Sequence, residues 1–180
     1  VISKCGKTVH RSLILPDDVL KILGAVRNDD VILEGFIDGF TYADVRYVHR
    51  PLDYGCEPEY FEYTRSCHGK IVDMRSFLSK HRNELDLISI ISTDEKLRNR
   101  LWSSIEKACN SVEITTSTDH FVEIMSAEAS KAKALLRLCD FLNIGMENVC
   151  ACGNADNDAD MIAELSLIHI SEPTRHAQIS

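Results

Sequence analysis

Apolar positions recur along the chain at two spacings, and the switches between them outline its elements. Behind Pro16, a residue suited to a first helical turn, Val19, Leu20, Leu23 and Val26 follow at helical spacing and predict a helix. Strand-like runs at 31–36 and 40–48 flank Asp38-Gly39, a dipeptide that favours a tight hairpin because both residues tolerate positive φ. From Pro51 to Cys67 the pattern is aromatic and irregular. A helix over 74–82 leads into a strand at 87–92. Ser92 and Glu95 then stand at capping-box spacing, and Leu97, Leu101, Ile105 and Ala108 form the apolar stripe of the helix behind them. Runs at 112–116 and 121–125 predict two more strands.

The pattern changes beyond Ser126. Residues 131–142 read as a helix with Leu135, Leu138, Cys139 and Leu142 inward and Lys133, Arg137 and Asp140 outward. The short, continuously apolar run 148–153 predicts a strand covered on both faces. A polar loop, 154–158, follows, and the chain turns helical again. Helix, buried strand, loop, helix is half of a parallel α/β unit, whereas the earlier hairpins belong to an α+β arrangement. The division falls near 122–127.

Composition narrows the function classes. Of 180 residues, 44% are hydrophobic and 27% charged, as in folded globular chains. The net charge of -8 argues against a nucleic-acid or anionic-membrane partner, since phosphate backbones are held mainly by clustered cations. No apolar stretch approaches the roughly 20 residues of a membrane span, and the first residues lack the apolar core of a signal peptide. Seven cysteines without a CxxC pair fit a reducing cytoplasm rather than a disulfide framework.

The chemistry concentrates in Gly153-Asn154-Ala155-Asp156-Asn157-Asp158-Ala159-Asp160-Met161. Carboxylates and amides just past a buried parallel strand stand where open α/β sheets bind ligands, and their oxygens suit a hard cation such as Mg²⁺. The same residues also read as a solvated turn capping the next helix. A calcium loop starting at Asp156 is excluded, because its sixth position is Met161 rather than Gly and its twelfth is Leu167 rather than Glu. Lys131, at the start of the preceding helix, is a candidate to neutralise a phosphate. Cys150 and Cys152 read as buried small hydrophobes, and Trp102 as a packing residue. Cys56, Cys67 and His68 lack the second pair that a structural zinc site needs. Arg46, His49, Arg50 and Arg65 read chiefly as a solvated face.

The run SKAKALLRLCDFLNI followed by ENVCACGNADNDADM resembles the Cof-type branch, subfamily IIB, of the haloacid dehalogenase (HAD) superfamily of phosphatases. That branch reads SKG-x-AL-x-x-L-x-x-x-LGI, then a strand, then GD-x-x-ND-x-x-M. The match covers residues 123–161, and the preceding part resembles the branch's inserted cap. The resemblance implies an α/β fold, a partial Rossmann-like HAD core plus an inserted α+β cap. It divides the chain into a linker (1–15), the cap (16–122), the C-terminal part of the core (123–164) and a tail (165–180).

The resemblance also implies roles. Lys131 takes the place of the catalytic lysine that holds the substrate phosphate and the nucleophilic aspartate. Asn157 matches the amide that contacts the phosphate, while Asn154 and Asp158 match the Mg²⁺-binding positions. The implied activity is hydrolysis of small phosphorylated metabolites, such as sugar phosphates, through an aspartyl phosphate. Asn154 replaces an expected Asp, which lowers the charge available to the metal. The D-x-D-G-T nucleophile motif does not occur in the sequence. These departures predict a fragment, itself inactive, that begins just after that motif. The run 165–175 looks like a translated sequencing-library adapter, with 176–180 read through beyond it, and is expected to be non-native. The alternative is a non-catalytic module that binds a phosphorylated ligand or a protein.

Overall fold

A computed structural model of the protein describes residues 2–4, 7–153 and 158–163. The chain divides into two compact units, residues 1–130 and 131–180. The division lies beyond the 122–127 window suggested by the pattern, because residues 121–126 form a strand inside the first unit's sheet.

The first unit opens with β1 (Ile2–Lys4) and β2 (Lys7–His10), an antiparallel pair in a region expected to be a plain linker. Arg11 then clamps the chain onto the main sheet. Its Nε and Nη2 donate to the two Asp86 oxygens, each at 2.8 Å, and Asp86 also accepts from the Asp38 amide. Helix α1 (Pro16–Ala25) starts on a proline with Asp17 and Asp18 in its first turn, where acidic groups suit the helix dipole. Its inward stripe is Val19, Ile22 and Val26; Leu20, expected inside, is exposed.

The sheet has six strands in the order β5-β4-β3-β6-β8-β7. They are β3 (Ile32–Ile37), β4 (Phe40–Asp44), β5 (Gly69–Ile71), β6 (Leu87–Ile91), β7 (Val112–Thr115) and β8 (Phe121–Ser126). Every pairing is antiparallel except β4 with β5. The β3–β4 turn has positive φ at Asp38 (51°) and Gly39 (83°), as the dipeptide predicts. Strand β4 ends sooner than the apolar run suggests. Asp44 accepts from the Arg46 amide and caps α2 (Val45–His49). The helix lets the consecutive residues Tyr47 and Val48 both pack inward, which a strand would forbid. The irregular region is ordered as 3₁₀ turns at Pro51–Tyr54 and Pro58–Tyr60 and a short helix, α3 (Phe61–Cys67).

Helices α1, α4 (Met74–Lys80) and α5 (Glu95–Ala108) contribute to the larger core. Val19, Ile22, Leu78, Leu101 and Ile105 are fully buried there with Ile88, Ile90 and Ile124 of the sheet. Side chains hidden this completely each contribute about 1.5–3 kcal/mol. Trp102 packs at the edge of this core, in keeping with a structural role. The cap of α5 is Asp94, which accepts from the Leu97 amide, and not Ser92. Ser92 belongs to the strand end: its amide donates to His120 O, extending the β6–β8 ladder. On the sheet's other face, Tyr47 and Val48 of α2 pack with Ile32, Ala43 and Ile91.

In the second unit, α6 (Lys131–Leu142) buries Ala132 and Cys139. Leu138 and Leu142, expected inward, are exposed. The helix ends on Asn143 in the left-handed region (φ 55°), with the Ile144 amide donating to Cys139 O. The strand expected at 148–153 is not formed. A 3₁₀ turn occupies Met146–Asn148, and 149–153 has no regular structure. No strand among the described residues of this unit offers that backbone a ladder, so no covered parallel strand arises. Helix α7 (Ala159–Ala163) follows. Among the described residues, no helix is long and apolar enough to cross a membrane.

Candidate active site

Lys131 opens α6 and Asp158 immediately precedes α7. The fold of the second unit brings them together across 27 positions: Lys131 Nζ donates to Asp158 Oδ1 at 2.6 Å. The Asp158 side chain is only 7% exposed, whereas Lys131 remains half exposed. A carboxylate buried this deeply needs a cationic or hydrogen-bonding partner, and the ammonium is one.

Gly153 makes this packing possible. A Cβ placed there would lie 2.3 Å from Asp158 Cβ and 2.6 Å from its Cγ, closer than any real contact. The glycine was read from sequence only as the start of a motif; its steric role follows from Asp158 folding back against it.

Of the residues singled out from sequence, Lys131 and Asp158 are therefore in direct contact. Asn154 and Asn157 lie outside the described residues. A hard carboxylate oxygen at Asp158 has the right chemistry for one Mg²⁺ ligand, but Mg²⁺ requires several oxygens in an octahedral shell. Among the described residues no three His, Cys, Asp or Glu side chains are grouped to hold a metal. Cys150 and Cys152, expected to be buried, are exposed free thiols, because the covered strand that would have carried them is not formed.

Arg46, Arg50 and Arg65, singled out from sequence, each have a local partner. Arg46 binds Asp44, Asp30 and the carbonyl of Val31, fixing the β4–α2 junction. Arg65 lies over the Phe61 ring, 5.2 Å from its centroid. Arg50 is strongly exposed, 3.9 Å from Asp53.

A second polar site, not anticipated from sequence, lies wholly within the first unit. It is a cavity of about 590 Å³ on the sheet face opposite the larger core, with Glu34, Tyr47, Tyr63, His68 and His120 in its lining. His68 Nε2 lies 3.2 Å from Glu34 Oε1, with side-chain exposures of 9% and 4%. His120 packs so tightly over Gly55 that a Cβ there would come within 2.1 Å of its ring, and Gly55 itself has a φ of 85°. Burial, reinforced by the nearby Glu34 carboxylate and Cys56, pushes the Tyr47 hydroxyl above the ordinary phenol range. The cavity's residues come from several separate segments, so no short motif announces it.

Comparison with known proteins places this geometry in context. The sequence pattern of the haloacid dehalogenase-like hydrolases matches residues 1–168. The 5-amino-6-(5-phospho-D-ribitylamino)uracil phosphatase of Bacillus subtilis (strain 168) is 35% identical over 74 residues, 41% of this chain and 29% of the relative. A haloacid dehalogenase-like hydrolase from B. subtilis superposes with a TM-score of 0.69 at 20% identity, covering 89% of this chain and 61% of that one. A Thermotoga maritima protein gives a TM-score of 0.67 at 20% identity, over 91% and 58% of the two chains. A HAD subclass IIB sugar phosphatase gives 0.67 at 13% identity, over 89% and 56%. The chain thus spans 29% of the curated relative's length. At such identities the structural likeness carries the fold, and the sequence pattern carries the kinship. The chain belongs to the haloacid dehalogenase-like hydrolase family.

Proposed function

We propose that this chain is part of a Mg²⁺-dependent phosphoric monoester hydrolase acting on small phosphorylated metabolites. The observation that carries the reading is the Lys131–Asp158 contact, made by two residues at the spacing of the family's core motif. In this reading the cap runs from residue 16 through the six-stranded sheet of the first unit, and residues 131–164 belong to the catalytic core. The cap admits substrate and excludes water when closed. Sugar phosphates and phosphorylated ribitylamino-pyrimidines are the candidate substrates, by analogy with a subclass IIB sugar phosphatase and with the B. subtilis relative. The chain's free thiols suit a reducing, cytoplasmic setting.

Asp158 holds the Lys131 ammonium in position. Lys131 offsets negative charge on the substrate phosphate and on the attacking aspartate, charge that builds in the transition state. Asn157 donates from its side-chain amide to a phosphate oxygen. Asp158, with Asn154, would hold the metal, which when bound neutralises phosphate oxygens as a Lewis acid. The nucleophilic aspartate is supplied by a D-x-D-G-T segment that these 180 residues do not contain. Its carboxylate attacks phosphorus, the alcohol leaves, and water then hydrolyses the aspartyl phosphate.

The 180-residue chain is expected to release no phosphate from p-nitrophenyl phosphate with Mg²⁺. Joined to a segment bearing D-x-D-G-T, it is expected to hydrolyse phosphate esters in a Mg²⁺-dependent manner. Lys131→Ala should then cut kcat/KM by about 100-fold. Turnover by the chain alone that survives Lys131→Ala would place the site elsewhere.

A further inference from the structure

The sheet face beside the cavity carries a polar row. Glu34, Ser89 and Glu123 stand side by side across β3, β6 and β8, between apolar rows that include Ile91 on one side and Leu87 on the other. Glu34 is 3% and Ser89 1% exposed, an unusual depth for a carboxylate and a hydroxyl in the middle of a sheet. The side-chain polar atoms Ser89 Oγ, His68 Nδ1 and His120 Nδ1 are buried with no hydrogen-bond partner among the described residues. Buried polar groups are ordinarily paired, and each such orphan calls for a partner. His68 and His120 line the cavity, and the His68 side chain is nine-tenths buried.

The chemistry of the lining restricts what fits. Glu34, Glu57 and Asp119 contribute carboxylates, and neither Lys nor Arg is in the lining, so a phosphate group is disfavoured here. His68 Nε2 faces Glu34, which leaves Nδ1 as the ring atom to meet a ligand. A lining whose charged groups are carboxylates, which accept hydrogen bonds, calls for a donor-rich ligand. The walls supply flat aromatic surface: Tyr60 and Tyr63 are 56% and 60% exposed, and both line the cavity. Exposed aromatic faces next to buried acceptors match a flat ring with N–H groups along one edge, since aromatic stacking and carboxylate–amino bonds then form together. A volume of about 590 Å³ is ample for such a ligand.

We propose that this cavity is a binding site for a planar nitrogen heterocycle bearing amino or imino donors, recognised by Glu34 and His68 and stacked against Tyr63. The inference is independent of the phosphatase reading. Binding is measured here without turnover, so either idea can fail alone.

The test is calorimetric titration of the 180-residue chain with 5,6-diaminouracil and with ribitol, with saturation-transfer NMR for weak binding. Diaminouracil should bind, and Glu34→Gln should weaken it about tenfold by turning one carboxylate oxygen into a donor. Tyr63→Ala, at an exposed position that leaves the core intact, should weaken it severalfold, with far-UV circular dichroism reporting the fold of both variants. The proposal is overturned if diaminouracil shows no binding at millimolar concentration. It is equally overturned if ribitol binds as well as diaminouracil, or if folded Tyr63→Ala binds unchanged.

Discussion

Asp158 shows how a single side chain joins stability to chemistry. It is buried against Gly153 and held by Lys131. Gly153→Ala puts a methyl group into the space that Asp158 occupies, and Asp158 or the backbone must move. Overpacking of this kind costs about 1–3 kcal/mol. Thermal unfolding of the variant should show a lower Tm, together with weaker phosphate binding; an unchanged Tm would mean that Asp158 does not fold back on Gly153. Sequence alone places Lys131 and Asp158 by motif but says nothing of this contact. The Glu34–His68 pair was hidden for a different reason. Its members sit on β3 and just before β5, and only the sheet brings them together.

At the scale of elements, the hairpin at Asp38-Gly39 and the apolar stripes of α1 and α5 were legible because each depends on a few neighbouring residues. Where two neighbours competed, the sequence misled. Ser92 and Asp94 can both cap a helix, and the β6–β8 ladder decides in favour of Asp94 by claiming Ser92 for the strand end. Likewise the run 148–153 carries strand composition, but a strand needs a neighbour, and composition cannot supply one. Helix α1 offers a quantitative check. Asp18 receives hydrogen bonds from Lys21 and Ser111, and Cys109 Sγ donates to the Asp18 carbonyl, so one residue links α1 to the end of α5.

Burial alone would push the Asp18 carboxyl up; its donors outweigh this and hold it below the usual carboxylate range. A carboxyl lowered in the folded state contributes stability above its unfolded value of 3.8, and loses it as pH falls through the folded value. Asp18→Asn is therefore expected to be less stable at neutral pH, with a flatter fall in stability below about pH 4. Urea midpoints measured across that range check it. Equal acid limbs for the two proteins would remove Asp18 from the account.

The whole molecule presents two units with different characters. The first has its own continuous core under a six-stranded sheet and a cavity of its own on the other face. The second holds the Lys131–Asp158 contact on short elements, with Phe141, Leu142 and Ile144 exposed along and just beyond α6. Membership of the haloacid dehalogenase-like hydrolases gives that contact a meaning that neither composition nor net charge carries. An acidic chain is a poor phosphate binder on average, so the proposed function requires a local arrangement of donors.

The most direct test is an amide NMR titration of the chain with inorganic phosphate in the presence of Mg²⁺. The account predicts shifts concentrated at the start of α6 and the residues before α7. Lys131→Ala should weaken binding about tenfold, the loss of one charge-assisted hydrogen bond. Shifts confined to the first unit, or equal affinity in Lys131→Ala, would contradict it.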